Sequence, residues 1–294
     1  MLMPLAFLLI AADKPPPLSG ELVLNATNPV VDVEIAGVKL RLRVDLDGQD
    51  SIELNPAAAA SLPVPWEPGY PMDVGRVRLE SRLAPVILKI YGRTRPNQVT
   101  EHGRDCCIGV DGAIGPDLLP YASVRWRRTD APAATGTLSL PVSVSPMTGL
   151  SAPAAEIPEM SLRFALGQAE TVGTAAAGAV LSRLWGGRWN DAPHRVTLAF
   201  GVSRPARTIG FTRPGLLAGF RFDTLLVRIS DFAGDETLPA DPVHPDEVVV
   251  TQHLQRQHAW TAVIIGADRL SRCADISFDA VARTLTLRCA FDQP

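Results

Sequence analysis

The run Leu40-Arg41-Leu42-Arg43-Val44-Asp45-Leu46-Asp47-Gly48 alternates apolar and charged residues and then breaks into an acidic turn. Alternation at period two marks a half-buried strand, and Asp-Gly marks a tight turn. Asn55-Pro56 follows and opens an alanine-rich segment, predicted as a helix over Pro56–Leu62. Asn suits the helix N-cap and Pro the first helical position. A carboxylate held at a strand end and backed by a helix suits an acid-base role, so Asp45 is the first candidate for chemistry.

The 294 residues can bury a core and hold about two domains. An apolar fraction of 46% against 20% charged residues places the chain among globular proteins, not disordered ones. Net charge is -3, and the only lysines are Lys14, Lys39 and Lys89. The arginines are scattered, with Arg125, Arg127 and Arg128 the densest cluster. No basic patch is interleaved with aromatics, so nucleic acid is not expected as a partner.

Met1–Ala12 is apolar but too short for a bilayer, which needs roughly 20 residues, so no stable membrane span is expected. It fits the core of a secretory signal peptide, with Ala11 and Ala12 near a cleavage point and Pro15-Pro16-Pro17 as spacer. An apolar first strand is the alternative. The first reading makes the protein periplasmic or secreted.

The four cysteines are Cys106, Cys107, Cys273 and Cys289. Segments 273–278 and 284–289 read as strands of a hairpin centred near Val281. That hairpin sets Cys273 opposite Cys289, within reach of a disulfide. Cys106 and Cys107 are adjacent, and such a pair more often stays reduced or pairs elsewhere. An even count with one cross-strand pair fits an oxidising compartment. None of the four stands beside a histidine at ligand spacing, so neither a metal nor a cofactor is expected.

From Glu21 to about Leu140 the chain is mostly short β-like runs, including Val30–Ile35, Lys39–Val44, Pro85–Ile90 and Ser123–Trp126. Pro141–Glu159 then becomes rich in Pro, Ser and Ala without periodicity, as a linker would. Strand signals resume at Met160–Leu166, Ala169–Val172, His194–Phe200, Phe220–Ile229, Val248–Val250 and Val263–Ile265. A second short helix is expected at Ser182–Trp185. Ala113-Ile114-Gly115-Pro116-Asp117-Leu118-Leu119 is echoed by Ile264-Ile265-Gly266-Ala267-Asp268-Arg269-Leu270, both carrying Ile-Gly-x-Asp-x-Leu. The same order of parts precedes each copy, so the chain reads as an internal repeat.

These residues resemble the retropepsin-like aspartic proteases, and in particular their bacterial two-lobe members. The features that carry the resemblance are a strand ending in Val44-Asp45, a hairpin placed like a flap, and the apolar-Gly segments Ile114-Gly115 and Ile265-Gly266. It covers roughly residues 25–140 and 158–290. It implies a mainly β, bilobal fold of two retropepsin-like β-barrel repeats. The expected organisation is a leader and spacer at 1–19, lobe 1 at 20–140, a linker at 141–159 and lobe 2 at 160–294.

The family's chemistry uses two carboxylates, one per lobe, in Asp-Thr/Ser-Gly motifs. Like charges about 3 Å apart share one proton and activate a water. Asp45 matches the catalytic Asp, Leu46 falls where Thr or Ser belongs, and Asp47 where Gly belongs. Gly48 and Leu54 are each one residue late, as a one-residue insertion in the turn would make them. Gly173-Thr174-Ala175 is the expected lobe 2 counterpart, which keeps the threonine and lacks the aspartate. The resemblance therefore implies a peptide- or protein-binding interlobe cleft with peptidase activity lost or weakened, in a monomer. One alternative is an active endopeptidase pairing Asp45 with a non-standard partner, Asp47 being one. The other is a non-catalytic envelope assembly module.

Asp117 and Asp268 could stand in for the missing carboxylates, or cap the short helices after the glycines. His253 and His258, five apart, do not share a helical face, and His244-Pro245-Asp246-Glu247 reads as a solvated loop. Trp66, Trp185 and Trp189 could line a groove or belong to the core. Gly186-Gly187 and the Gly201–Gly215 region read as loop backbone.

Overall fold

A computed structural model describes residues 18–48, 50–74, 77–145, 149–190, 192–229 and 260–292. Met1–Ala12, Pro15–Pro17, Val248–Val250, His244, His253 and His258 lie outside the described residues.

The first half opens with β1 (Glu21–Asn25), the hairpin β2 (Val30–Ile35) and β3 (Val38–Val44), β4 (Ile52–Leu54) and helix α1 (Pro56–Ser61). A short β5 (Glu67–Pro68) leads to the small hairpin β6 (Met72–Val74) and β7 (Val77–Leu79). A long hairpin, β8 (Arg82–Ile90) and β9 (Arg93–Glu101), precedes β10 (Gly112–Ile114) and β11 (Ser123–Arg127). In β3 the apolar residues Leu40, Leu42 and Val44 are buried while Lys39 and Arg41 face solvent, as the alternation requires. The strands pair in the order β2-β3-β10-β4-β9-β8, and β2 also pairs with β8, which closes a six-stranded barrel.

The second half runs β12 (Gly136–Pro141), β13 (Ser143–Ser145), β14 (Gly149–Pro153), β15 (Ser161–Phe164), β16 (Val172–Gly173) and helix α2 (Ala175–Trp185). Next come β17 (Gly187–Trp189), β18 (His194–Thr197), β19 (Ser203–Leu217), β20 (Phe220–Arg228), β21 (Ala262–Ile265) and helix α3 (Ala267–Leu270). The chain closes with β22 (Cys273–Asp279) and β23 (Thr284–Cys289). Here β15 runs parallel to β21, β21 antiparallel to β16, β16 parallel to β20, and β20 antiparallel to β19. That is the pairing of β3, β10, β4, β9 and β8 repeated. The fold is mainly β and bilobal.

A third sheet, ordered β1-β11-β22-β23-β12, takes strands from both halves. The closing hairpin expected in lobe 2 therefore belongs to a sheet the lobes share. The stretch expected as a linker is also ordered, because β13 and β14 form a hairpin whose second strand pairs with β15. Its Pro and Ala content hid Leu150, Ala152 and Ala154, which alternate into the core. Helix α2 begins at Ala175, two turns before the expected start at Ser182. Thr174 caps it by accepting from the Ala177 amide, and left-handed Gly186 ends it. Gly178 lets the helix lie close on β20, where an added Cβ would stand 2.6 Å from Val227. Residues 169–171, expected in a strand, are not part of one, and Gly201–Gly215 falls largely within the long β19 rather than a loop.

One apolar core runs through both lobes and the shared sheet, with Trp126, Phe164, Phe220 and Phe278 all fully buried. Trp126 also donates its indole N–H to the Val44 carbonyl at 3.2 Å, tying the shared sheet to the strand that carries Asp45. Trp126→Ala is expected to lower unfolding free energy by about 3–5 kcal/mol, measured by urea denaturation.

Candidate functional site

Asp45 stands where β3 and β10 part. Val44 pairs with Ile114, and the Asp45 amide donates to the Ile114 carbonyl at 3.1 Å. The turn then folds under itself, with the Gly48 amide donating to the Asp45 carbonyl at 3.3 Å. Gly48 is held against the Ile114–Gly115 backbone so closely that an added Cβ would lie 2.5 Å from the Gly115 nitrogen. Leu46 is fully buried.

The Asp45 carboxylate is 1% exposed. Its Oδ1 accepts from the Leu46 amide at 2.9 Å and from the Leu166 amide at 2.8 Å. Its Oδ2 accepts from the Gly167 amide at 2.8 Å and forms an ion pair with Arg43 Nε at 3.3 Å. Two of the three amides come from the opposite lobe. An added Cβ at Gly167 would stand 2.6 Å from Oδ2, so only glycine admits this approach.

The strand pairings also locate the lobe 2 counterpart of Asp45. Phe164 opposite Ile265 corresponds to Val44 opposite Ile114, so Ala165-Leu166-Gly167 occupies the position of Asp45-Leu46-Asp47. Gly173-Thr174-Ala175 does not. Gly173 ends β16 and pairs with Val263 as Leu54 ends β4 and pairs with Gly112, and Thr174 caps α2 where Asn55 stands before α1. The turn from Asp45 to Leu54 is one residue longer than that from Ala165 to Gly173, and matching Thr174 to the threonine of the motif conceals this. The conclusion that lobe 2 lacks the aspartate stands, on a different residue.

Arg43 and Arg163 occupy the same place in the repeat, each one residue before its strand ends. Both face the carboxylates of the Asp45 turn. Burial and the negative charge of Asp45 push the Asp47 carboxyl up to about 7, and the Arg163 and Arg43 guanidiniums act against this. Burial lowers Arg163, with Asp47 and Asp45 opposing it.

The β6–β7 hairpin also meets lobe 2. Val74 and Leu79 bury against Phe200 and Val202, with Met72, Val77, Cys106 and Leu198 packed around them. The His102 ring contacts Phe200 at a centroid distance of 5.1 Å. Apolar contact thus joins this hairpin to lobe 2.

Beside the turn lies a buried polar chain that sequence reasoning missed. His102 Nδ1 is 2.9 Å from Glu53 Oε2, Thr100 donates to the same oxygen at 3.1 Å, and Ser51 and Thr100 share a 2.6 Å contact. Burial raises the Glu53 carboxyl and its bonds to His102 and Thr100 lower it. Glu53 and Thr100 lie on β4 and β9, Ser51 just before β4 and His102 just after β9, and the parallel pairing of those strands brings them together.

The remaining candidates have structural places. Gly115 and Gly266 take the N-cap positions before a 3-10 turn and before α3, so Asp117 and Asp268 sit inside the first turns and cap neither. Asp268 accepts from Thr171 at 2.7 Å instead. Cys273 and Cys289 form a disulfide, and Cys106 and Cys107 are free. Trp66 and Trp189 are partly buried against the core and stack under Arg82 and Arg207, while Trp185 packs on Phe211 and Phe222. Among the described residues no group of three or more His, Cys, Asp or Glu side chains could hold a metal ion, and no helix is long and apolar enough to cross a membrane.

Two copies of the same strand crossing, joined by a shared sheet and meeting at Asp45, define an aspartic-protease-like bilobal fold. No family model matches the chain, and no curated protein matches it. Among solved structures the chain is similar to EIAV protease complexed with the inhibitor HBY-793. The two are 23% identical over 31% of this chain and 85% of that chain, at a TM-score of 0.23. At that score the fold class rests on the strand order, not on the likeness.

Proposed function

We propose that this is a two-lobe aspartic-protease-like protein of the bacterial type, exported to the periplasm or beyond, that holds an extended peptide or protein segment without hydrolysing it. The observation that carries the loss of hydrolysis is the burial of the Asp45 carboxylate among three backbone amides. A carboxylate offers about four lone-pair sites. Three amides occupy three of them, the Arg43 guanidinium stands 3.3 Å from Oδ2, and the residue is 1% exposed, so the carboxylate is committed to the protein rather than to a water. Binding by strand addition is supported by the β6–β7 hairpin, which pairs only with itself among the described residues. The Cys273–Cys289 disulfide supports an oxidising compartment.

The test is a titration with a statine-type peptide inhibitor alongside a cleavage assay on an unstructured protein at acidic pH. Binding without cleavage is expected. Cleavage that the inhibitor blocks and Asp45→Asn abolishes would overturn the reading. One observation favours that second reading, an endopeptidase working through Asp45 and Asp47. Asp47 is pushed toward its neutral form beside Asp45, as the acid of such a pair must be. Asp47→Asn separates the two, since it would abolish any cleavage and leave inhibitor binding in place. Neither binding nor cleavage would leave an assembly module.

A further inference from the structure

We propose that Cys106 and Cys107 form a hydroperoxide-sensitive modification site that closes into a vicinal disulfide. The two free thiols are carried by adjacent residues, in a loop between β9 and β10. Asn55 clamps that loop. Its Oδ1 accepts from the Cys106 and Cys107 amides at 2.9 and 3.2 Å, and its Nδ2 donates to the Cys107 and Val110 carbonyls at 2.8 Å each. The Cys106 thiol also points to the Glu53 carbonyl at 3.8 Å.

The surroundings divide the labour between the two sulfurs. The neighbouring Cys106 and then the Arg43 guanidinium hold the Cys107 thiol below its usual range, while Cys107 beside it and burial raise Cys106. Cys107 is thus the nucleophile and Cys106 the resolving thiol. The Cys107 thiolate attacks one peroxide oxygen, the O–O bond breaks, and hydroxide or alkoxide leaves to be protonated. The resulting sulfenic acid is attacked by Cys106 sulfur, the S–O bond breaks, and water departs with the Cys106 proton. Two thiols and one hydrogen peroxide become one disulfide and two waters. Cys106 is partly exposed and marks the way in, whereas Cys107 is 3% exposed.

Neighbouring Cα atoms stand about 3.8 Å apart across a trans peptide, below the span of roughly 4.4–6.8 Å that disulfides prefer. The ring is therefore strained and readily reduced again, as a reversible mark requires. Closing it turns the peptide that Asn55 holds. Cys106 also packs against Val74, Leu79 and Phe200, so the modification acts on the contact between the β6–β7 hairpin and lobe 2.

The experiment exposes reductant-free, full-length protein to hydrogen peroxide, then denatures it, alkylates it with N-ethylmaleimide and maps it by mass spectrometry. The peptide carrying both cysteines should become about 2 Da lighter than its reduced form, lose both maleimides together and regain them after dithiothreitol. In Cys106→Ser, Cys107 should be captured by dimedone. In Cys107→Ser, Cys106 should oxidise about tenfold more slowly. Sulfinic acid without the lighter peptide, disulfide-linked dimers, or full alkylation after treatment that oxidises free glutathione would each overturn the proposal. Should either variant fail to fold, the map of the unaltered protein decides.

Discussion

Asp45→Ala is expected to lower the free energy of unfolding by about 3 kcal/mol, and the reason is what the substitution leaves behind. The Leu166 and Gly167 amides lose their acceptor and Arg43 loses its counter-ion. Breaking a buried pair from one side costs about 3–5 kcal/mol. Arg43 keeps 27% side-chain exposure and recovers some solvation, which places the effect at the lower end. Asp45→Asn keeps one acceptor oxygen but turns an amide nitrogen toward a donor, so a loss of about 1–2 kcal/mol follows. Urea denaturation measures both. A loss under about 1 kcal/mol for the alanine variant would mean that the carboxylate does not tie the lobes together.

Asp47→Asn should act in the opposite direction, and only above acidic pH. The carboxyl is raised from 3.8 to about 7 by burial and by Asp45. Its folded form therefore binds the proton more tightly than the unfolded chain does. Stability is fully present below about pH 4 and is lost as pH climbs through about 7. The asparagine side chain does not ionise, so that loss disappears, a gain on the order of 2–4 kcal/mol at pH 8 and almost none at pH 4. Melting curves of both proteins between pH 4 and pH 8 check this. Parallel curves would show that Asp47 does not carry the proton.

The fold was legible because its signals are local. Alternation in β3, the paired Ile-Gly-x-Asp-x-Leu segments and the order of parts around them each follow from strand period and turn chemistry. The site was only half legible. Asp45 is visible from its own neighbours, but its partner position depends on which residue of lobe 2 lies beside Ile265. No residue type announces that register, and Thr174, which looked like a remnant of the motif, is an N-cap. Ala165-Leu166-Gly167 carries no chemistry of its own, so nothing in the sequence singles it out. Its role is to present two backbone amides, which every residue but proline has. The segment expected as a linker failed for a similar reason. Strand β14 contains Gly149 and Pro153 at its ends, and those residues read as loop until pairing with β15 is known.

The shared sheet bears on how such a chain is made. Strand β11 is synthesised early, pairs on one side with β1, and waits for β22 on the other. Strand β12 likewise waits for β23. During synthesis the first lobe can close its own barrel, yet β11 and β12 keep unpaired edges until β22 and β23 have emerged. Contacts this distant in sequence form slowly, and bare edges in the interval invite pairing with other chains. Strands β22 and β23, far along the chain from their partners, are the ones that seal these edges.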